Sequence, residues 1–422
     1  MSKNSLVFLI AFFSGFILFS QSTEISEITF VGVKKIKTSF LTKVLSTKTS
    51  QQIDSIILEK DIKFLKRLPA VVHASYKTIH LPNGTYKIEY TIEESFTIIP
   101  LFNVYTSNSQ EIAYRVGVSE YNFLGHSMIL GGFYQKDIYN SYRISLQAPY
   151  LFSKKIGLGL SYQDFTSLEP VFFEQGTVDY KYNNTSFEVL AICEIDAKNR
   201  FSTGINIFTE NYLYIEKEGD IAPPIYSLIE DKIMYKLIYQ HDNLDYHYQY
   251  VSGFKDVFNF QYVNSETNVS SPDFFIAWND FLYYRRVKSR GNFASRLRIG
   301  LSTNNDSPFA PFALDNNINI RGVGNIIDRG TGSIVLNTEF RYAILDTHSF
   351  CLQGNIFIDA GSWRNPGGGF EDFIQAKDVV VFSGPGLRFI HKRIVNAVFR
   401  IDYGLGLTEK THGLVFGIGQ YF

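Results

Sequence analysis

Cysteine is almost missing from this sequence: Cys193 and Cys351 are the only two in 422 residues. They belong to no CxxC, His-x-Cys or zinc-like spacing, so a disulfide framework and a structural zinc site are both without support. An excess of charge is missing too. Lys and Arg number 40 against 41 Asp and Glu, a formal net charge of −1, and bulk charge points to neither nucleic acid nor an acidic substrate. Long apolar runs are absent after residue 20, so nothing approaches the ~20 residues that a membrane-spanning helix needs. Catalytic signatures are equally scarce. No Gly-x-Ser-x-Gly elbow occurs, and the eight histidines are scattered, with His241 and His247 nearest to a pair and no Ser and Asp set around them. Arg321-Gly322-Val323-Gly324 and Gly384-Pro385-Gly386 lack the Lys-Ser/Thr of a phosphate loop. Neither an enzyme nor a cofactor is expected.

What the sequence does have is rings: 38 Phe and 27 Tyr bring aromatic content to 16%. Ring-rich chains with many short alternating segments suit membrane barrels with aromatic girdles at two interfaces. At the N-terminus Lys3 precedes an apolar run from Leu6 to Phe19, then Ser20-Gln21-Ser22. A basic start, a short apolar stretch and a small residue read as a signal peptide over 1–20, with a retained anchor as the other reading. No Cys follows the run, which speaks against a lipid anchor.

Residues 24–95 read as one β-α-α-β-β unit. Ile25 to Gly32 has the composition of a strand. Thr38 or Ser39 is expected to cap a helix carrying Phe40, Leu41, Val44 and Leu45 on one face. A second helix is expected from about Gln51, with Ile53, Ile56, Ile57, Ile62, Leu65 and Leu68 at helical spacing before Pro69. Strands at 71–80 and 85–93 flank Pro82-Asn83-Gly84, a hairpin turn signal.

From residue 96 helical periodicity gives way to alternation of period two. In 396–405, Ala397, Phe399, Ile401, Tyr403 and Leu405 share one face, opposed by Val398, Arg400, Asp402 and Gly404. In 333–342, Ile334, Leu336, Thr338, Phe340 and Tyr342 oppose Ser333, Val335, Asn337, Glu339 and Arg341. In 292–301, Phe293, Leu297, Ile299 and Leu301 oppose Asn292, Arg296 and Arg298. A soluble sandwich also alternates, but about sixteen segments of ~10 residues exceed one sandwich and suit a barrel with short turns alternating with longer loops. Lys or Arg on the lipid face at mid-membrane costs ~2–4 kcal/mol, so segregated charge is what a barrel requires. The fold class expected is mainly β: a 16-stranded antiparallel transmembrane barrel over 96–422 behind the small α/β domain. Cys193 and Cys351 read as wall residues, and Arg285-Arg286-Val287-Lys288-Ser289-Arg290 as a charged turn.

Several stretches, in order along the chain, resemble one family. The 24–95 unit looks like a POTRA domain, the periplasmic module of BamA- and TamA-type outer-membrane assembly proteins. Gly117 to Gly125 (GVSEYNFLG) resembles the second-strand signature of that family's barrel, and Ala148-Pro149-Tyr150 the Pro-Tyr that ends a following strand. Ile320-Arg321-Gly322-Val323 resembles its Val-Arg-Gly-aromatic loop motif, Phe357-Ile358-Asp359-Ala360-Gly361 its Phe-x-Asp-x-Gly strand motif, and Gly417 to Phe422 its aromatic terminus.

Residues 303–333 are rich in Asn, Asp, Pro and Gly, and Gly322 and Gly324 let the backbone approach a wall closely. Glu339 and Asp359 lie on polar strand faces, so an Arg-carboxylate fork could hold the loop in the lumen. The resemblance implies that lock as Arg321, Gly322, Glu339 and Asp359. A solvated Arg321 is the plainer alternative. Val323 departs from the family's aromatic, so the loop tip is expected to pack less tightly.

The resemblance further implies weak closure between first and last strands, here near 97–105 and 413–422. On the last strand Leu414, Phe416, Ile418 and Phe422 are expected to face lipid, with Gly413, Gly417 and Gly419 lining the inside and loosening the seam. The function implied is insertion of unfolded β-barrel clients by strand addition at that seam, in the cell outer membrane with the small domain in the periplasm. Clients, outer-membrane lipids and accessory lipoproteins are the implied partners, with no nucleic acid. The alternative is a two-partner-type secretion pore for a dedicated substrate. Such pores usually carry two POTRA units and a plug helix, whereas one unit is legible here and residues 20–24 leave no room for a plug. An outer-membrane hydrolase lacks a nucleophile set.

Overall fold

A computed structural model describes residues 24–106, 112–173, 176–247, 249–265, 273–305, 307, 310–313, 319–324, 329–392 and 398–422. The stretch read as a signal peptide lies outside them, as does Ala397. The chain divides after Glu94 into two units.

The first unit is β-α-α-β-β. Strand β1 (Ile25–Val31) pairs parallel with β3 (Tyr86–Glu94), which pairs antiparallel with β2 (Val71–His80), giving the sheet order β1-β3-β2. Pro82-Asn83-Gly84 makes the β2–β3 turn. Leu81 donates its N–H to the Thr85 carbonyl at 2.9 Å, and Gly84 takes the φ of +82° that glycine allows. The first helix (Thr38–Val44) buries Phe40, Leu41 and Val44. Its cap differs from expectation: Lys37 holds the N-cap position without a side-chain hydrogen bond, and Thr38 is already helical. The second helix (Ser55–Leu65) starts later than Gln51, because Asp54 caps it by accepting from the Ile56 and Ile57 N–H groups. Between the helices and sheet lies a buried carboxylate that periodicity did not reveal. Asp61 accepts from Ser46 N (2.8 Å), Thr47 N (2.9 Å) and Thr47 Oγ1 (2.7 Å), and Tyr90 Oη lies 3.2 Å away. Those donors replace the water a buried acid would otherwise lose.

The second unit is a closed barrel. Its first strands are β4 (Ile98–Thr106), β5 (Ile112–Phe123), β6 (Met128–Lys136), β7 (Asn140–Ala148), β8 (Ile156–Phe173), β9 (Gly176–Glu194), β10 (Asn199–Tyr214) and β11 (Ser227–Asp242). A short β12 (Asp245–His247) leads into β13 (Tyr250–Ser265), β14 (Phe274–Val287) and β15 (Gly291–Ser302). A small hairpin of β16 (Phe312–Ala313) and β17 (Arg329–Gly330) follows, then β18 (Gly332–Asp346), β19 (Phe350–Arg364), β20 (Val379–His391), β21 (Val398–Gly406) and β22 (His412–Ile418). Sixteen of these, β4–β11, β13–β15 and β18–β22, form the ring in which each strand pairs antiparallel with its chain neighbour and β22 returns to β4.

Alternation sets the two surfaces. On β21 Phe399, Ile401, Tyr403 and Leu405 are exposed outward, while Val398, Arg400, Asp402 and Gly404 are buried in the lumen. On β18 Leu336 and Tyr342 are exposed outward, with Val335, Asn337, Glu339 and Arg341 inside. So much outward Ile, Leu, Phe and Tyr needs lipid rather than water against it. Cys193 is exposed, Cys351 is buried, and both are free. Lys288 to Arg290 form the turn between β14 and β15.

Wall height is uneven. A tilted strand crosses a bilayer in roughly 9–11 residues. Strands β4, β6, β7 and β21 have 9 residues each, whereas β8 has 18, β9 19, and β10 and β11 16 each. The register Tyr142↔Asp164 aligns the start of β7 with Thr166, so β8 continues beyond it at the rim opposite the chain's entry. The inner face of that overhang packs Val171, Phe173, Val178, Tyr180 and Tyr212 together.

The last strand ends at Ile418, not at Phe422, and Phe422 does not face lipid. Gly419 takes φ +97° and turns the chain into the lumen. Tyr421 is buried there, and Phe422 packs near Leu244, Tyr284 and Ala294. Inward-pointing guanidinium groups give the ring faces a partner that lipid lacks. Arg296 and Arg341 each lie 5.8 Å from the Phe422 ring centre.

Candidate functional site

The lumen holds a charge cluster built from four strands, β18 to β21, and one loop. The loop between β15 and β18 carries Arg321, which has no exposed surface. Its Nε donates to Asp359 Oδ2 at 2.8 Å and its Nη2 to Asp359 Oδ1 at 2.9 Å, a bidentate fork, while its backbone N–H donates to Oδ2 at 3.0 Å. Its Nη1 pairs with Glu339. Glu339 also pairs with Arg341 and lies 3.5 Å from Arg388. Arg388 donates to Asp402 at 2.8 Å, and Arg400 lies 3.3 Å from Asp402. Four guanidinium groups therefore share three carboxylates, and each would be costly to bury alone. Arg321, Glu339 and Asp359 thus meet directly. Arg388, Arg400 and Asp402 join them and were not singled out from sequence, although their inward parity on β20 and β21 was available as a signal.

Gly322 explains why the loop comes so near the wall. It has φ +94°, and a Cβ there would lie 2.7 Å from Gly404 Cα on β21. A Cβ on Gly413 of β22 would lie 2.8 Å from the Gly322 carbonyl oxygen. Gly413 is therefore small because the loop backbone rests on it, a reason different from weakening the strand. Val323, where tighter packing was in doubt, is buried with Ile320, Val335, Trp363, Val380 and Phe382. The ring positions around the arginine are filled instead by Phe357, 3.8 Å from its guanidinium carbon, and Tyr421, at 4.5 Å.

The seam between β22 and β4 is sparse. Seven register pairs join β22 to β21, and one pair, Phe416↔Val104, joins it to β4 among the described residues. On the outer face the rings of Phe102 and Phe416 meet edge to face at 6.2 Å. On the inner face Gly417 lies between the side chains of Asn103 and Arg400, with its Cβ direction 2.9 Å from Asn103 Oδ1 and 3.1 Å from Arg400 Nη2. Gly419 is not a strand residue but the turn that directs Gln420, Tyr421 and Phe422 away from β4.

Between the loop and the β8–β14 wall lies a cavity of about 480 Å³, bordered by Glu210, Lys232, Trp278, Arg298, Phe312 and Arg329. Arg329, the second loop arginine, pairs with Glu169 on β8. Nothing in the sequence linked those two residues, which are 160 positions apart.

Residues 23–95 match the POTRA family, described as surface antigen variable number repeat. No curated protein sequence matches the chain. Among solved structures, BamA from Haemophilus ducreyi lacking POTRA domains 1–3 is similar at 15% identity and TM-score 0.58, over 94% of this chain and 84% of that one. CdiB from Acinetobacter baumannii is similar at 16% identity and TM-score 0.64, over 94% and 74% of the two chains. CdiB from Escherichia coli is similar at 10% identity and TM-score 0.65, over 95% and 77%. At such identities the likeness establishes the fold. The chain therefore joins a POTRA-family domain over residues 23–95 to a closed sixteen-stranded barrel, a fold like that of those BamA and CdiB structures.

Proposed function

We propose that this chain is an outer-membrane insertion factor that accepts unfolded β-barrel clients at the β4–β22 seam. The observation that carries the proposal is that, among the described residues, Phe416↔Val104 is the single pair joining β22 to β4, where the other strands are zipped along their length. An edge left unpaired offers main-chain donors and acceptors to an incoming strand. By the Phe416↔Val104 register Ile418 falls opposite Phe102, and the turn at Gly419 leaves the earlier part of β4 without a strand partner from β22. A client strand added there would grow hairpin by hairpin and leave sideways into lipid, driven by burial of its apolar face. The POTRA sheet, with β1 and β2 at its edges, would receive clients by the same edge pairing. Accessory lipoproteins are natural partners for that domain.

Translocation of a dedicated substrate through the lumen is the second reading, and the fold likeness to CdiB favours it. The loop held inside by Arg321 weighs the other way, since a polypeptide crossing the lumen must displace it.

The test is a reversible lock. With Cys193 and Cys351 replaced by Ser, Val104→Cys and Phe416→Cys are oxidised to a cross-link in cells depleted of the wild-type chain, and every outer-membrane protein is quantified. Broad loss of barrel proteins that reduction reverses supports insertion at the seam. Undiminished assembly with the lock closed overturns it. Loss of one exported protein alone supports the pore.

A further inference from the structure

The overhang of β8–β11 and the base of the inserted loop meet through a second buried ion pair. Arg329 donates from Nε (2.9 Å) and Nη2 (2.7 Å) to Glu169 Oε2, and from Nη1 to the Ala310 carbonyl at 2.9 Å. Ser167 Oγ donates to the other carboxylate oxygen at 2.5 Å. The side chain of Glu169 is 3% exposed and that of Arg329 13%. Both oxygens of Glu169 thus accept a hydrogen bond, and Arg329 is the cation that pairs with it.

Two features make this pair more than another wall contact. The first is position. Strands β8 and β18 are seven places apart in a ring of sixteen, nearly a diameter, and Arg329 immediately precedes β18. A contact between them joins opposite walls across the mouth. The second is charge. Behind Glu169 the overhang buries Glu230 and Lys232 and half-buries Glu210, with Lys232 2.8 Å from Glu210 and 2.9 Å from Glu230. Without Arg329 the three carboxylates Glu169, Glu210 and Glu230 are left with Lys232, while Arg298 across the cavity is engaged by Asp280, so the loop arginine adds the cation that pairs Glu169. Tyr182 adds a ring 5.7 Å from the Arg329 guanidinium and donates its hydroxyl to Glu210 at 2.7 Å.

We infer that Arg329 is a second positioning residue of the inserted loop, and that its pairing with Glu169 closes the far mouth of the lumen independently of the Arg321 lock. Arg321 fixes the loop to β18 and β19, and Arg329 fixes it to β8. Release of Arg329 alone opens the mouth while leaving the barrel and the deeper cluster folded. The inference stands whether clients leave through the seam or through the lumen.

The experiment is single-channel recording of the purified full chain in planar bilayers. Glu169→Gln and Arg329→Gln are each expected to raise open probability on the order of a hundredfold, as loss of one partner strands the other in a buried site. The charge-swapped double variant, Glu169→Arg with Arg329→Glu, is expected to return it towards the wild-type level. Each variant is first checked by the heat-dependent gel mobility of a folded barrel. As a second arm, Glu169→Cys with Arg329→Cys in a background without Cys193 and Cys351 should be open until a bifunctional thiol reagent as long as the lost ion pair bridges the two positions, and closed once mass spectrometry shows the bridge. Single variants as quiet as wild type, or a bridged pair as conductive as the unbridged one, would overturn the inference.

Discussion

The ring centre of Tyr421 lies 4.5 Å from the guanidinium carbon of Arg321. The inserted loop's own cation therefore touches the tail that follows the seam strand. Arg400, one strand away on β21, lies 5.0 Å from the same ring. The loop and the end of β22 are coupled inside the lumen, through Arg321 of the one and Tyr421 of the other.

Removing the ring tests that coupling. A buried cation–π contact contributes ~1–2 kcal/mol. Tyr421→Leu should lower barrel stability by about that amount, read as a shift in the midpoint of urea unfolding in detergent. Tyr421→Phe keeps the ring and should stay within a few tenths of a kcal/mol of wild type. Equal losses from both variants would assign the effect to the hydroxyl.

Arg321→Lys is expected to fail as a substitute. Lysine offers one ammonium where the fork reaches two oxygens of Asp359 and a third on Glu339. Arg321→Ala should cost ~3–5 kcal/mol by leaving buried carboxylates short of a partner. Lysine should recover less than half of that in the same unfolding measurement.

Gly404→Ala should undock the loop tip while leaving β21 in the ring. Its Cβ would collide with the Arg321 carbonyl and come within 2.9 Å of Gly322 Cα, and backbone cannot swing aside as a side chain can. The expected readout is new protease cleavage between residues 303 and 331. Gly84→Ala meets nothing within 4 Å and serves as the contrast, with a cost of ~1 kcal/mol from its positive φ alone.

Alkaline pH should loosen the POTRA domain. Burial, the largest cause, raises the Tyr90 phenol above its ordinary 10.0, with Asp61 adding to the rise and Thr47 opposing it. The folded state favours the neutral phenol. That contribution is complete below pH 10.0 and is lost as pH climbs from there towards the raised folded value. Pulse proteolysis of the full chain across that range should show cleavage in residues 24–95 rising with pH. Tyr90→Phe should flatten the dependence, and an unchanged profile would assign it to another group.

Much of the architecture was legible because burial imposes a period. Alternation along β18, β19 and β21 marked the lumen face, so Glu339, Asp359, Arg400 and Asp402 could be assigned inward before any contact was known. Pro82-Asn83-Gly84 marked its hairpin because the turn requires backbone geometry that few residues adopt. The cap at Asp54 was missed because Gln51, Gln52 and Ile53 continue a helical pattern that the chain does not use. The end of β22 was missed for a related reason: the spacing of Phe416, Ile418, Gln420 and Phe422 carries on the strand period past Gly419, where the chain turns.

Local pattern along the sequence determined that these strands would form, which of their faces would be wet, and that a glycine-rich loop would carry an arginine. It did so because the period of a strand and the cost of a charge in lipid act residue by residue. Which charges meet was decided only when the ring closed. Closure brings Glu169 to Arg329 across 160 positions, stacks Gly322 against Gly404 and Gly413, and gives Tyr421 to Arg321. Those distances depend on the ring as a whole, and no stretch of chain encodes them by itself.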